Sequence, residues 1–386
     1  MKKRILFYYM LGFPSGGSDN SLFYHLINLD KSLFEPIVFF NQPSFHKDKL
    51  DEIGIKTIII TLYKEKSHSN LVSGSTKKRK NIYINYLKGN FGREIKAIYK
   101  SIPQAKIVYK LLKDLEIDLI HTNFNLSRCR TAIIAGILRR IPIVAHNRGL
   151  SDLLKIDRFL SKFIKKIICI SEFVKEEYVK FGISENKCVV IYNGVDTERF
   201  KPSKKVKDDK IVITSVGRLE EWKGQKILIE AASLIIPNFS NIEFWIIGDG
   251  PEKQNLGLLS KRLNLSNNIK IWGKIDNIAE FLQRTNIFVH TSIIPEPFGR
   301  VIIEAMATGL PVISTNIGGP KEIIIDGQDG YLLPPGNPKI LAAKILYLIK
   351  NPKVRHQVGK NALMTVRDRF DIKITNKKIV DLYDTV

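Results

Sequence analysis

Residues 293–315 read IIPEPFGRVIIEAMATGLPVIST. Prolines on both sides of Glu296 keep that segment out of a regular helix or a central strand. From Arg300 to about Thr308 the apolar residues run as a helix, and Gly309 followed by Pro311 stops it. Apolar strand segments lie on either side, Ile287–His290 upstream and Pro311–Ser314 downstream. Strand, loop, helix and strand in that order form the building unit of a parallel sheet with crossover helices.

The same grammar extends outward in both directions. Toward the N-terminus lie strand candidates at Ile211–Val216, Glu243–Ile247 and Ile269–Trp272. Before them come Arg4–Tyr9, Pro36–Phe40, Lys56–Ile60, Leu119–His121, Ile143–Ala145, Ile167–Ile170 and Cys188–Ile191. Continuous Val/Ile-rich runs with helices between them predict parallel strands covered on both faces. Two such series predict an α/β protein of two doubly wound, Rossmann-like domains facing across a cleft. The polar segment 195–210 marks the boundary, giving domains 1–200 and 201–386, with the last helix a candidate to return to the first. Ligands of such sheets bind beyond the carboxyl ends of the strands, so the cleft is the expected site.

Composition narrows the partners. A chain of 386 residues exceeds what one core usually supports. Its 61 Lys and Arg against 38 Asp and Glu leave a charge of +23, which favours an anionic partner: nucleic acid, anionic lipid or a phosphorylated ligand. Three scattered cysteines without a C-x-x-C argue against a disulfide framework or a zinc site and suit a reducing cytosol. The first residues, MKKRILFYYM, read as a buried strand rather than a signal peptide. No apolar run approaches the ~18 residues of a membrane span, so an integral membrane protein is not expected. Residues 64–113 form a basic insertion with thirteen Lys and Arg against Glu65 and Glu94, interleaved with aromatics such as Tyr86, Phe91 and Tyr99. That mixture suits an anionic membrane surface, and equally a solvated helix pair. No nucleic-acid-binding motif accompanies it.

Two connections can hold a phosphorylated ligand. In IVITSVGRLEEWKGQKILIEAA, residues 211–232, Arg218 and Lys223 follow a strand, where two cations can grip a diphosphate. In the opening stretch the free N–H groups of Gly299, Arg300 and Val301 start a helix, a ready anion site. Glu296 just before that helix can accept from sugar hydroxyls. Glu304, one turn inside, shares a face with Arg300 and Val301 and can accept from a ribose diol. Two carboxylates bracketing a diphosphate point to a nucleotide sugar; the alternative is a surface Glu and a helix Glu paired with a Lys.

Together with SGGS (15–18), ISEFVKEEY (170–178), IYNGVDTERF (191–200), IIGDGP (246–251), GGPKEII and DGYLLPPGN, these segments resemble the retaining glycosyltransferases of the GT-B fold, family 4. The resemblance covers nearly the whole chain. It implies that Arg218 and Lys223 neutralise the donor diphosphate and that Glu296 holds the transferred sugar. Phe298, Gly299, Arg300 and Val301 would bring backbone groups to sugar and phosphate, Glu304 would bind the ribose, and Ile275 would meet the base through its backbone. Gly16 and Gly17 would cap the first helix beside the donor phosphate or the acceptor. Many relatives carry a histidine after the fifth strand, close to the reacting sugar. Here IPIVAHNRGL places Arg148 at that position and His146 two residues earlier, so either can take the near-sugar role. The expected donor is a UDP-hexose or UDP-HexNAc, with a GDP-sugar as the alternative. The expected acceptor is a glycan or lipid-linked envelope precursor, such as capsule, O-antigen or lipopolysaccharide core. No Asp-x-Asp occurs, so neither a metal nor another cofactor is implied. The location implied is cytoplasmic, peripheral on the inner face of the plasma membrane. A non-catalytic nucleotide-sugar binder of the same fold is the rival expectation.

Overall fold

The computed structural model describes residues 2–10, 17–42, 46–60, 82–203, 210–239 and 241–386. The chain divides into two compact units. Met1–Ile170, Val174–Ile191 and Ile379–Val386 form the first; Ser171–Phe173 and Tyr192–Lys378 form the second. The break after Ile191 precedes the sequence boundary of 200. The reason is that Val195 already pairs with the second unit, its N–H donating to Phe370 O (2.8 Å) and its carbonyl accepting from Ile372 N (2.9 Å).

The first unit contains β1 (Lys3–Tyr9), α1 (Gly17–Ile27), β2 (Phe34–Phe40), α2 (Lys47–Glu52), β3 (Lys56–Ile59), α3 (Ile82–Asp114), β4 (Leu119–Asn123), α4 (Leu126–Arg139), β5 (Ile143–Asn147), α5 (Lys155–Ser161), β6 (Lys166–Cys169), α6 (Glu172–Lys180) and β7 (Cys188–Val190). Among the described residues its seven strands pair in parallel in the order β3-β2-β1-β4-β5-β6-β7. Alternate residues such as Ile5, Phe7, Val38, Leu119 and Val144 pack under Leu22 and Leu26 of α1, joined by Ile379, Leu382 and Tyr383 from the end of the chain. Each large side chain buried this way stabilises by about 1.5–3 kcal/mol.

Of the basic segment 64–113, residues 64–81 lie outside the described residues, Lys77–Lys80 among them. Residues 82–113 lie in a single helix of 33 residues, α3, between β3 and β4, with Pro103 inside it. Ala105, Val108 and Leu112 are buried on one face, while Lys96, Tyr99, Lys100, Lys106 and Lys110 are exposed.

The second unit contains β8 (Ile211–Val216), α7 (Gln225–Ile235), β9 (Ile242–Ile247), α8 (Lys253–Arg262), β10 (Ile269–Gly273), α9 (Ile278–Gln283), β11 (Ile287–Val289), α10 (Arg300–Ala307), β12 (Val312–Thr315), α11 (Pro320–Ile323), β13 (Tyr331–Leu333), α12 (Pro338–Lys350), α13 (Pro352–Arg369) and the start of α14 (Ile372–Tyr383), whose residues from Ile379 on belong to the first unit. Its parallel sheet has the order β10-β9-β8-β11-β12-β13. Strand order reverses between β8 and β11. Ligands of such sheets bind at the carboxyl ends of the strands beside this reversal.

Candidate active site

The two strands at the switch point lead directly into the two segments singled out from the sequence. After β8 the chain runs through Gly217, Arg218 and a single turn at Glu221–Lys223 into α7. After β11 it runs through His290–Gly299 into α10. Backbone bonds clamp these connections together. Ile293 N donates to Trp222 O (2.9 Å), and Thr291 Oγ1 donates to Lys223 O (3.0 Å). Gly224 makes that approach possible: its φ is +66°, and a Cβ there would sit 2.2 Å from the Thr291 carbonyl oxygen. Any other residue would push the two connections apart.

Clamping brings Lys223 onto Glu296. The carboxylate is 5% exposed. Its Oε1 accepts from Lys223 Nζ and from Ser292 Oγ (2.9 Å), and His290 Nε2 lies 3.2 Å away. Oε2 accepts no hydrogen bond among the described residues. Burial, then repulsion from Arg218, lower the Lys223 ammonium to about 7, with Glu220 pulling the other way. Burial, then Lys223, push the His290 imidazole down to about 3, so the ring is neutral at physiological pH. Arg218 is mostly exposed and pairs with Glu220 at 2.7 Å. Cations therefore stand at two depths, a buried Lys223 and a surface Arg218.

The Glu296 loop is fixed from its other side too. Gly319 N donates to Glu296 O (2.8 Å), and Ser171 Oγ donates to Pro297 O (2.6 Å). Phe298 is buried against Tyr192 and Phe370, ring centroids 5.9 and 6.0 Å away. Gly299 then turns the chain into α10 at φ +107°, and Arg300 and Val301 open the helix. One turn on, Glu304 Oε1 accepts from Arg300 Nη2 at 3.1 Å. The partner of the helix glutamate is thus an arginine of the same face, not a lysine. Burial raises the pKa of Glu304, with Arg300 and Arg199 pulling the other way. Ile275 packs beside Val212, Trp245 and Ile247 at the carboxyl side of β10.

In the first unit, Gly16 lies outside the described residues and Gly17 is the first residue of α1. His146 is 1% exposed, its ring 5.3 Å from that of His121, and neither ring nitrogen has a partner among the described residues. Burial, then Arg148, holds it neutral, with its pKa well below the ordinary range. The ring is enclosed, and both of its nitrogens are left without a partner among the described residues. Arg148, just past β5, is half-buried, and its Nε donates to Asn123 Oδ1 at 2.8 Å.

His290, Ser292 and Gly319 were not among the residues singled out. A lone histidine at the end of an apolar strand reads as core, and only the loop's return brings it to Glu296. The GGP of residues 318–320 was the available signal for Gly319.

Comparison with known proteins adds the family. Residues 196–364 match the model of glycosyl transferases group 1, and residues 49–199 match that of glycosyltransferase family 4. An uncharacterized glycosyltransferase of Methanocaldococcus jannaschii is 33% identical over 70% of this chain and 76% of its own. The Escherichia coli UDP-Gal:α-D-GlcNAc-diphosphoundecaprenol α-1,3-galactosyltransferase is 28% identical over 74% of this chain and 80% of its own. Coverage of other curated relatives falls to 46% of their length. Among solved structures, Anabaena HepE in complex with UDP superposes with a TM-score of 0.80 at 25% identity, covering 100% of both chains. Two Rossmann-like units, the clamped loops at the second unit's switch point and these likenesses agree: the chain belongs to the GT-B glycosyltransferases of group 1, family 4.

Proposed function

We propose that this chain transfers a sugar, with retention of anomeric configuration, from a nucleotide sugar to a glycan or lipid-linked envelope precursor. The observation that carries the reading is Glu296, with one oxygen accepting from Lys223 and Ser292 beside His290 and the other without a hydrogen bond among the described residues. A carboxylate whose Oε1 already accepts from Lys223 and Ser292, with the His290 ring 3.2 Å away, is a weak nucleophile. It suits holding a hydroxyl of the transferred sugar, and it disfavours a covalent glycosyl-enzyme intermediate. Front-face substitution, with the leaving phosphate assisting the incoming hydroxyl, is the retaining route that needs no such intermediate.

Charge builds on the leaving nucleoside diphosphate as the glycosidic bond breaks. Lys223, Arg218 and the N–H groups opening α10 would meet it, and one such preorganised donor typically contributes about 3 kcal/mol. A diphosphate would also supply Lys223 with a second anionic partner, raising its pKa from about 7 and securing its charge. Glu304 would hold the ribose and Ile275 the base, with no divalent metal and no further cofactor taking part.

A UDP-sugar is the favoured donor: HepE was solved with UDP and with UDP-glucose, and the Escherichia coli relative is named for UDP-Gal. That relative's name also specifies a diphosphoundecaprenol acceptor, which favours a lipid-linked substrate here. No helix among the described residues is long and apolar enough to cross a membrane. We place the enzyme at the anionic inner membrane surface through the exposed basic and aromatic face of α3.

The deciding experiment is a panel of UDP- and GDP-sugars incubated without acceptor, with release of the nucleoside diphosphate followed. Slow hydrolysis of one or two donors is expected. Tight binding of a donor with no release, and no transfer to undecaprenyl-linked sugars, would establish a non-catalytic binder instead.

A further inference from the structure

The ring of His290 stands between two hydroxyls and a carboxylate, and the arrangement permits one tautomer. Nδ1 lies 3.0 Å from Ser314 Oγ on the neighbouring strand β12. Nε2 lies 3.2 Å from Ser292 Oγ and 3.2 Å from Glu296 Oε1. The Ser292 hydroxyl has one proton and gives it to Glu296 at 2.9 Å. A bare Nε2 would then point its lone pair at a carboxylate oxygen and at a hydroxyl whose proton is already committed. Nε2 must carry the proton, and Nδ1 accepts from the Ser314 hydroxyl. All four residues are at least nine-tenths buried, where the low local dielectric strengthens such contacts.

From this we infer that His290 is a positioning residue for the transferred sugar: its Nε2–H, with its ring fixed by Ser314, holds Glu296 Oε1 so that Oε2 faces the hydroxyls of the donor sugar. The idea rests on the proposed role of Glu296 and goes beyond it by naming the group that sets its geometry. Lys223 alone cannot do this. Its ammonium sits on a flexible stem and is the group a donor diphosphate would draw away. Once Lys223 turns to the phosphate, His290 and Ser292 are what keep Oε1 in place. A brace from a neutral ring also leaves the carboxylate charged, where a second cation would compete with the sugar for it.

The ring makes a specific prediction about replacements. A glutamine amide can put an N–H where Nε2 stands, while an asparagine amide reaches only the Nδ1 position. The test uses the full chain and three substitutions, His290→Gln, His290→Asn and His290→Leu, with Glu296→Gln as control. UDP release from UDP-glucose, UDP-galactose and UDP-GlcNAc is measured beside the dissociation constant for UDP alone. Asn and Leu are expected to lower kcat by roughly ten- to a hundred-fold, the worth of a hydrogen bond to a charged group, with UDP affinity changed less than about two-fold. Gln is expected to recover kcat to within about five-fold of the intact chain. If the melting temperature of the His290 variants collapses, Ser314→Ala serves instead. It frees the ring, and kcat should fall several-fold with UDP affinity held.

Equal losses for Gln, Asn and Leu would overturn the brace, as would full turnover of Leu. So would full turnover of Ser314→Ala where that substitute is needed. A fully active Glu296→Gln would instead overturn the role of Glu296 on which the inference rests, whatever His290 does. An inactive Glu296→Gln beside an active His290→Leu rejects the brace alone.

Discussion

Lys223 and Glu296 neutralise each other inside the protein, and the consequences of separating them differ for the two partners. Glu296→Gln keeps the shape of the side chain and its contact with Ser292, so the fold should persist. Sugar hydroxyls lose a charged acceptor, and transfer should fall about a hundred-fold or more. Turnover beside a melting curve checks this; near-normal turnover removes Glu296 from the site. Arg218→Ala together with Lys223→Ala removes both cations but leaves the base and ribose contacts. Calorimetry should show UDP weakened far more than uridine, and equal losses would refute a diphosphate role. Lys223, Glu296 and Arg218, with Glu304, were legible because each falls in a strand-end connection or one helical turn beyond it. His290 and Ser292 were not. No periodicity relates a strand's last residues to a carboxylate between two prolines, and the return of the loop depends on bonds to Trp222 and from Gly319, and on the close approach that Gly224 allows, all far away in the chain.

Helix α10 shows why some elements could be read from the residues and others could not. Its expected span, Arg300–Thr308, ends within one residue of the observed Arg300–Ala307, because glycine and proline punctuate both sides. The single helix α3 did not stand out in the sequence because its outer face carries lysines and aromatics and Pro103 interrupts its pattern. Its buried stripe of Ala105, Val108 and Leu112 is too sparse to stand out. Strand β13 spans three residues, below what alternation can signal. The start of α10 has an energetic test. Gly299 sits at φ +107°, and a Cβ there would come within 2.9 Å of Ile302 Cδ1. Gly299→Ala should therefore cost about 1–3 kcal/mol and tilt the first turn. KM for the donor should rise more than kcat falls, since the N–H groups facing the phosphate move while Glu296 keeps its brace. A lowered melting temperature with unchanged KM would show that this turn does not touch the donor.

Across the whole molecule, acid and charge act on different features. His121 and His146 in the first unit and His290 in the second are all held neutral, each chiefly by burial. Arg148 and His25 stand near the first two, and Lys223 near the third. Unfolded, each would take a proton near pH 6.5; folded, they resist it, so the unfolded chain binds more protons and stability falls as pH drops through 6.5. Each such histidine costs up to about 1.4 kcal/mol per pH unit below that point. The raised pKa of Glu304 offsets part of this, because a folded carboxyl that binds its proton early gains stability on acidification. Urea midpoints should be lower at pH 5 than at pH 7, and equal midpoints would contradict the neutral assignments. The excess of +23 acts instead at the surface. On α3, Lys96, Lys100, Lys106 and Lys110 are exposed around Tyr99, which is 77% exposed. Each cation near an anionic bilayer contributes about 1 kcal/mol within a Debye length, so four give roughly 4 kcal/mol, enough for reversible docking when an aromatic inserts as well. Reversing these four lysines to glutamate leaves the buried face of α3 untouched and should release the protein from vesicles containing phosphatidylglycerol. Turnover on a short soluble acceptor should be unchanged, because the donor residues belong to the other unit. Vesicle binding that survives both the reversal and high salt would exclude electrostatic docking through α3, and loss of soluble-acceptor turnover would make α3 part of the acceptor site.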